Sequence, residues 1–516
     1  MNDRFAKRFA LHSMSLLAAL AVVGAGKTAA AQRPSEPKPE PPPPAQATDA
    51  KREKEKEPPV VSKWDLSIYG FLEFDGMYDS TQSFSDSQGN TPILRSDNSR
   101  PAYLPVGTDP LMAPMYGASH GRMQATARNT RFGFKITPPD VAGVRFTGVL
   151  ELDFFGNQPA SSFGSQYNAG SSTSEGSFLT SATFRLRHAY AKVETGIVDV
   201  LFGQYYNLFG WQPYFFPATL SFLGTPNMIF GRTPQLRVSK TIKTGPVNVE
   251  LAGALVRPTQ RDSGFPGLEG GLRFDINQWR GPHGRGSGQP TIDAASLGVT
   301  GTSRKFRVIE YLNNRGDVTQ GTAAAEATGV GFSVDAIVPI VPSRDLETNP
   351  VALTLTGSFV QGQGIADLYT GGLTGGVVFP LPEGPGGPFT GVYAGNIDPG
   401  LVQFDSTGTL RVIHWKSAMV GFQLYLPPAG KLVIAGNYTR ASSDNVEQSI
   451  ADGGDPARTF RVAQYYDANL FVDFTGAIRG GLSYQHTKQT YGLPDGSEGA
   501  GDEKNDRFEI GGLFFF

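Results

Sequence analysis

The last ten residues of the chain, Arg507–Phe516, read RFEIGGLFFF. Successive side chains of a β-strand point to opposite faces, so this segment would have one wholly apolar face and one charged face. The apolar face holds Phe508, Ile510, Gly512, Phe514 and Phe516, and the other begins with Arg507 and Glu509. Each exposed phenyl ring would forgo about 1.5–3 kcal/mol of burial in water. The segment therefore predicts a strand whose apolar face lies against a non-aqueous medium.

The composition limits the kinds of protein that this chain can be. Its 516 residues include 64 Gly, 38 Pro and no Cys, and only 18% are charged. Positive and negative side chains nearly balance, at 45 Lys and Arg against 47 Asp and Glu, so no nucleic-acid partner is indicated. The absence of cysteine excludes disulfides, thiolate metal sites and a cysteine nucleophile.

The N-terminus has the three parts of an export signal. Arg4, Lys7 and Arg8 precede the apolar run Ser15–Gly26, and Ala29-Ala30-Ala31 fits a cleavage site. The apolar run is too short for a membrane-spanning helix, which needs about 20 residues. We expect residues 1–31 to be a signal peptide that is removed on export.

Residues 32–63 are rich in proline and charge, which precludes a packed core. We expect them to form an extended tether in the periplasm. Folded sequence is expected from residue 64 to residue 516, and no apolar run of 18 residues occurs in that range.

Period-two alternation dominates the sequence after Trp64. Many of the alternating segments reach the 9–11 residues, approximately, that a tilted strand needs to cross a membrane. The predicted strands are 65–78, 122–136, 143–155, 181–194, 197–206, 234–243, 246–257, 267–276, 291–301, 327–339, 350–361, 409–427, 430–441, 463–475, 477–489 and 505–516.

The connections between these sixteen segments alternate in length. Two-residue TG turns at 195–196, 244–245 and 475–476 alternate with long stretches such as 79–121 and 362–408. This alternation is typical of an up-and-down membrane barrel with short periplasmic turns and long outer loops. A soluble all-β protein would also alternate along its strands, but it has no need for alternating loop lengths. We therefore predict an all-β, transmembrane, antiparallel barrel of sixteen strands; the count is least secure around 277–310, where a connection is long for a tight turn.

If the apolar face meets lipid, the charged side chains line the lumen. The candidate pore-lining cations are Arg122, Arg128, Arg131, Lys135, Arg185, Arg187 and Arg237, and the candidate acids are Glu73, Asp75, Glu151 and Asp153. The parity changes within 122–136, so either a bulge near Asn129 and Thr130 keeps these cations on the inner face, or Arg122 already lies in the outer loop. These charges could select anions or could brace the lumen through ion pairs, and the residues leave both interpretations open.

The third long connection, residues 207–233, is too apolar for a loop in water. It must fold into the barrel as a pore constriction or pack against a neighbouring subunit. Its aromatic side chains are Phe209, Trp211, Tyr214, Phe215, Phe216, Phe222 and Phe230.

Three segments of the sequence, TARNTRFGFKI, LRHAYAKVE and VDVLFGQYYNLFG, resemble the DcaP-like trimeric porins of the outer membrane. The resemblance implies a sixteen-stranded homotrimeric channel for small solutes, with a preference for anions such as dicarboxylates. It also implies that Arg128, Arg131, Arg185 and Arg187 line the pore. A coiled coil can precede the barrel in that family, whereas residues 32–63 here are proline-rich.

We therefore expect a porin in the bacterial outer membrane, in contact with lipid and inserted by the barrel-assembly machinery. Phe516 would be part of the assembly signal. The alternatives are a structural or tethering barrel with a plugged lumen and an outer-membrane hydrolase with a dyad such as His486 and Ser483. No catalytic, metal or cofactor motif occurs in the sequence, so we expect neither an enzyme nor a cofactor.

Overall fold

The computed structural model describes most of the chain after Lys63. The described ranges are 64–84, 86–93, 120–156, 182–308, 311–312, 318–319, 325–375, 383–384, 387–388, 397–404, 409–448, 459–492 and 501–516. The expected signal peptide, 1–31, and the expected tether, 32–63, lie outside these residues.

Sixteen antiparallel strands form one sheet. The first eight are β1 (Asp65–Asp79), β2 (Arg122–Thr126 and Arg131–Thr137), β3 (Arg145–Asp153), β4 (Arg185–Glu194), β5 (Asp199–Tyr206), β6 (Arg232–Lys243), β7 (Val247–Val256) and β8 (Gly267–His283). The second eight are β9 (Thr291–Val308), β10 (Ala325–Val341), β11 (Ala352–Gln363), β12 (His414–Leu426), β13 (Leu432–Ser442), β14 (Phe460–Asp473), β15 (Ile478–Tyr491) and β16 (Gly501–Phe515).

The sheet closes on itself. Every strand pairs with the next one along the chain, and β16 pairs back with β1 from Phe71↔Phe515 to Asp79↔Arg507. The fold class and the strand number expected from the sequence are confirmed. In the part of the chain that the structure describes, no helix has the length and hydropathy to cross a membrane.

The uncertain region around 277–310 contains two strands that run longer than the sequence pattern indicated. β8 continues to His283, and β9 continues to Val308. Their pairing passes through an irregularity between Ala294 and Ala295, which side-chain alternation alone does not reveal. The connection between these two strands is therefore only residues 284–290.

The short and long connections lie at opposite ends of the barrel, which we call the short-turn end and the long-loop end. Residues 195–198, 244–246, 427–431 and 474–477 belong to the short-turn end. Both the beginning of β1 and Phe516 also lie there, since β1 and β16 are antiparallel neighbours.

The two faces of the sheet differ as the alternation predicts. On β1, Phe74 is 60% exposed, whereas its neighbours Glu73 and Asp75 on the opposite face are buried. The outer face is an apolar surface, and the inner face carries polar groups that are covered by segments folded into the lumen. The largest hydrophobic cluster among the described residues lies there as well and includes Phe209, Trp415 and Phe460.

Phe516 closes the seam of the barrel. Its amide donates to the carbonyl oxygen of Gly70 (N–O 3.2 Å), and the amide of Gly70 donates to the Phe516 carbonyl (3.1 Å). Its ring centroid lies 5.9 Å from that of Phe132 on β2. Gly70 has a φ of +158°, and an added Cβ would lie 2.1 Å from the carbonyl oxygen of Arg131 on β2, so β1 and β2 approach closely beside this seam.

We predict that deletion of Phe516 impairs barrel formation, because it removes both backbone hydrogen bonds and the ring contact with Phe132. The measurement is the fraction of protein that migrates as the heat-modifiable folded form on unheated denaturing gels. Phe474→Ala removes an exposed aromatic side chain at the same end and serves as the control. Equal folded fractions in the deletion and the control would contradict a role for Phe516 in closure.

Candidate functional site: the barrel lumen

The aromatic connection between β5 and β6, residues 207–231, folds into the lumen; we call it the lumen loop. It leaves β5 along the inner face of β8 and β9. The amides of Leu208 and Phe209 donate to Glu269 Oε2 at 2.7 and 3.0 Å, and the amide of Gly210 donates to Thr300 Oγ1 at 2.8 Å. The inner polar residues therefore supply the hydrogen bonds that the loop backbone needs.

The middle of the lumen loop reaches the opposite wall. Thr219 Oγ1 donates to Asp467 Oδ2 (2.9 Å), and the amide of Leu220 donates to Asn469 Oδ1 (3.1 Å). The Asn437 side chain also donates to the carbonyl oxygen of Ala218 (2.7 Å). The loop therefore crosses the lumen from β8 and β9 to β13 and β14.

Small residues on the wall make room for the loop side chains. At Gly298 on β9, an added Cβ would lie 2.6 Å from Trp211 and 2.7 Å from Phe215. At Gly511 on β16, it would lie 2.9 Å from Leu220. The aromatic side chains of this loop, which would be unfavourable in water, therefore pack against the inner wall.

All seven aromatic residues named from the sequence lie on or beside this inward path. Phe209, Trp211, Phe215 and Phe222 are buried, and Tyr214, Phe216 and Phe230 are partly buried. The Tyr214 hydroxyl lies 2.9 Å from Ser296 Oγ, and burial raises the pKa of Tyr214 above its ordinary value.

A second segment, the turn 284–290 between β8 and β9, also folds inward. The amide of Gly286 donates to Pro217 O (2.9 Å), and the amide of Thr219 donates to Gly286 O (3.2 Å). Arg479 on β15 donates to Ser287 O (3.2 Å). Sequence reasoning missed this feature, although the Gly-rich and Arg-containing stretch GPHGRGSG was unusually long for a tight turn.

Arginines on neighbouring strands share two carboxylates opposite the lumen loop. Arg185 binds Asp153 through two hydrogen bonds of 2.9 and 2.6 Å. Arg187 contacts Glu151 at 2.7 Å and Asp153 at 2.9 Å, and Arg131 Nε lies 3.6 Å from Glu151. Arg–carboxylate pairs of this kind are geometrically well defined, which holds the guanidinium groups in place.

Arg232, at the start of β6, completes this cluster, and sequence reasoning did not single it out. Its guanidinium carbon lies 5.4 Å from the ring centroid of Tyr206 and 5.2 Å from that of Phe230. Its buried Nη1 has no hydrogen-bond partner among the described residues. We call Arg131, Arg185, Arg187 and Arg232 the arginine wall.

A cavity of about 340 Å³ lies between this wall and the lumen loop. Arg131, Arg187, His188 and Glu151 contribute to its wall side, and Phe216, Phe222 and Phe230 contribute to its loop side. Tyr69, Tyr190, Tyr205 and Tyr206 also line it. The cavity thus combines fixed cationic groups with aromatic surfaces.

Of the arginine wall, Arg131 and Arg187 line the cavity, and Arg185 and Arg232 lie behind them. The other candidate cations from the sequence lie elsewhere. Arg128 is buried against Asp86 (2.8 Å) and donates to Phe154 O (3.1 Å), so it does not line the cavity. Arg237 donates to Tyr206 O (2.6 Å) on the inner face of β6. Arg122 and Lys135 lie towards the ends of the two segments of β2, and neither lines the cavity.

Within β2 the strand is interrupted at Ala127–Thr130, where the Thr130 amide donates to Ala127 O (3.1 Å). This interruption lies at the predicted bulge. It lets Arg131 continue the inner face that Gln124 and Thr126 occupy in the first segment.

A second group of carboxylates lies on β1 and β16, next to the arginine wall, since β1 pairs with β2. Glu73 accepts a hydrogen bond from Asn129 Nδ2 (2.5 Å), and Glu509 accepts one from Gln485 Nε2 (2.5 Å). Asp75 is buried, and neither of its oxygens has a hydrogen-bond partner in the described part of the chain. Acidic and basic groups therefore occupy different sectors of the inner face, with Glu151 and Asp153 paired within the basic one.

The geometry gives no support to the hydrolase dyad considered from the sequence. His486 Nδ1 lies 2.7 Å from Asp506 Oδ1 and stacks on Tyr466, whereas Ser483 pairs with Glu509 and lies three residues away on the other face of β15. Among the described residues no group of three or more His, Asp or Glu could hold a metal ion.

Comparison with known proteins shows which solved structures have a similar fold. No family model matches the chain, and no curated protein matches it. The outer membrane channel DcaP of Acinetobacter baumannii is similar in structure, with a TM-score of 0.53 and 18% identity over 88% of this chain and 97% of that chain. An anion-selective porin from Comamonas acidovorans gives a TM-score of 0.45 and 10% identity over 88% and 100%. The likeness to DcaP confirms the porin-type barrel fold that the sequence resemblance predicted.

We predict that Leu220 is inaccessible in the folded protein, because its side chain is enclosed between the lumen loop and the wall. The chain has no cysteine, so Leu220→Cys introduces a single thiol. Its reaction with a bulky maleimide should be much slower than that of Ile197→Cys, which lies on an exposed turn. Equally fast labelling of the two variants would show that the lumen loop is not seated in the barrel.

Proposed function

We propose that this protein is a porin of the bacterial outer membrane that forms a water-filled channel for small polar solutes. The observation that supports it best is the cavity between the arginine wall and the lumen loop. A loop that crosses a barrel narrows the lumen, and the remaining opening runs past charged side chains of the wall. Solutes that pass through such an opening are selected by size and charge and are not chemically changed. The long-loop end would then face outward and the short-turn end would face the periplasm.

We propose further that the channel prefers anions. The arginine wall holds four guanidinium groups beside two carboxylates, Glu151 and Asp153, which leaves an excess of two positive charges. Three of the arginines are braced by these carboxylates, whereas Arg232 has no ion pair among the described residues. The ion pairs can therefore hold the arginine wall in place while the wall also selects anions, because its excess positive charge gives this side of the lumen a positive electrostatic potential.

The proposed solutes are small anions, including dicarboxylates. Two carboxylates on one solute could contact separate guanidinium groups of the wall, and the aromatic rings of the lumen loop would contact the carbon skeleton between them. The sequence resemblance to DcaP-like porins supports the same class of solute.

A tethering barrel with a plugged lumen is the second candidate. One observation favours it: both the lumen loop and the turn 284–290 fold inward and contact each other through Gly286 and Pro217. A channel and a plugged barrel differ in conductance, which separates them directly.

We also propose a homotrimer. Exposed apolar side chains reach the long-loop ends of β2 and β4, where Met123 is 70% exposed and Phe184 is 62% exposed. An apolar surface that extends to the strand ends is typical of protein contact.

We predict stepwise currents when the purified protein inserts into a planar bilayer. A trimer of independent pores should close in three equal steps under high voltage. Insertion without any current would contradict the channel and favour the plugged barrel, and single-step closure would contradict the trimer alone.

We predict that Arg232→Gln lowers the anion-to-cation permeability ratio, because it removes a positive charge that no described carboxylate neutralises. The measurement is the reversal potential in a potassium chloride gradient. Arg145→Gln is the matched control, since Arg145 is exposed at the short-turn end beside Asp140 (3.8 Å). An unchanged reversal potential in Arg232→Gln would contradict anion selection by the wall.

A further inference from the structure

The outer face of the barrel carries cations at the long-loop ends of β12 and β13. Lys416 faces Ser442 across the two strands, and Arg440 faces Ala418, so Lys416 and Arg440 are diagonal neighbours. Such neighbours have Cα atoms roughly 7–8 Å apart, within reach of two long side chains that converge on one group. Both residues are exposed, and neither forms an ion pair within the described ranges.

Uncharged polar side chains flank these two cations at the same level. Gln361 on β11 faces Lys416, and Gln464 on β14 faces Arg440. Beside them, a cleft of about 420 Å³ opens on the outer surface, and its polar lining is Gln361, Gln363, His414, Lys416, Ser442 and Asp444. The Asp444 carboxylate is paired with His414 Nδ1 at 3.1 Å. The cleft also includes the apolar Val330 and Phe332, so it has a polar side and an apolar side.

Aromatic and aliphatic side chains lie immediately on the membrane side of the cations. Tyr438 is two residues from Arg440 on the same face, and it pairs across the strands with Tyr466. Val420 and Phe422 follow Lys416 towards the short-turn end, and both are exposed. Tyrosines on the outer face of a barrel mark the level of the membrane interface. Arg440 lies two residues beyond Tyr438 along β13, and Lys416 lies four residues beyond Val420, the partner of Tyr438 on β12. Both cations therefore stand on the long-loop side of that level.

This arrangement is confined to part of the circumference. At the long-loop ends of β2, β4 and β7, the exposed outer side chains Met123, Leu186 and Leu255 are apolar. A Lys or Arg side chain without an ion pair is energetically costly in contact with acyl chains, so these two cations are not expected to face the hydrocarbon. They fit a layer of negative headgroups.

We propose that Lys416 and Arg440 form a binding site for the phosphate of a glycolipid headgroup in the outer leaflet. Gln361 and Gln464 would hydrogen-bond the adjoining sugar, and the apolar surface around Val420 and Phe422 would receive the acyl chains. The site rests on the proposed outer-membrane location, but it does not require a conducting channel.

The test is native mass spectrometry of the detergent-solubilised protein with added diphosphoryl lipid A. We expect wild-type protein to retain the lipid and Lys416→Gln/Arg440→Gln to bind it roughly thirtyfold more weakly, as the loss of two interfacial cations implies. The single variants Lys416→Gln and Arg440→Gln should each lose roughly fivefold. The heat-modifiable gel form verifies that each variant is folded.

The matched control is Lys243→Gln/Lys431→Gln, which removes two exposed cations at the short-turn end and should leave lipid binding unchanged. Equal binding by the two double variants would overturn the site. Equal retention of lipid A without its phosphates would overturn phosphate recognition. Displacement of the lipid by millimolar inorganic phosphate would overturn the assignment to a lipid. None of these results depends on conductance, so a plugged barrel could still carry the site.

Discussion

The backbone hydrogen bonds between β1 and β16 are the constraint on which the rest of this structure depends. A strand edge left open in hydrocarbon would expose a row of amide and carbonyl groups, each costing several kcal/mol. The pairing from Phe71↔Phe515 to Asp79↔Arg507 removes that edge. Once the sheet is closed, alternation gives every strand a lipid face and a lumen face, and the polar residues acquire a shared interior.

That interior explains the position of the lumen loop. Glu269, Thr300, Asn437 and Asn469 present hydrogen-bonding groups to the lumen, and the loop backbone uses them where a soluble protein would use water. The same polar face carries Arg131, Arg185 and Arg187 next to Glu151 and Asp153. The alternation of side chains along the strands therefore puts on the inner face both the residues that bind the loop backbone and the charged residues opposite the loop.

Features that depend on the residue pattern within a single strand could be predicted from the sequence. The period-two pattern predicted the closed barrel, and the parity of Arg185 and Arg187 predicted their place on the inner face. The sequence did not suffice for features that depend on distant segments. Arg128 pairs with Asp86 of a long connection, and Arg232 joins the arginine wall through its contacts with the rings of Tyr206 and Phe230. The inward course of residues 284–290 likewise depends on Pro217 and Arg479, which no local pattern connects to that turn.

The contacts of the lumen loop also order the assembly of the protein in time. Residues 207–231 precede β13, β14 and β16 in the chain, yet Ala218, Leu220 and their neighbours rest on Asn437, Asn469 and Gly511 of those later strands. The loop therefore cannot take its final place until the last third of the chain has joined the sheet. The loop can cross the lumen only in the finished barrel, because the residues that hold its middle lie on strands that follow it in the chain.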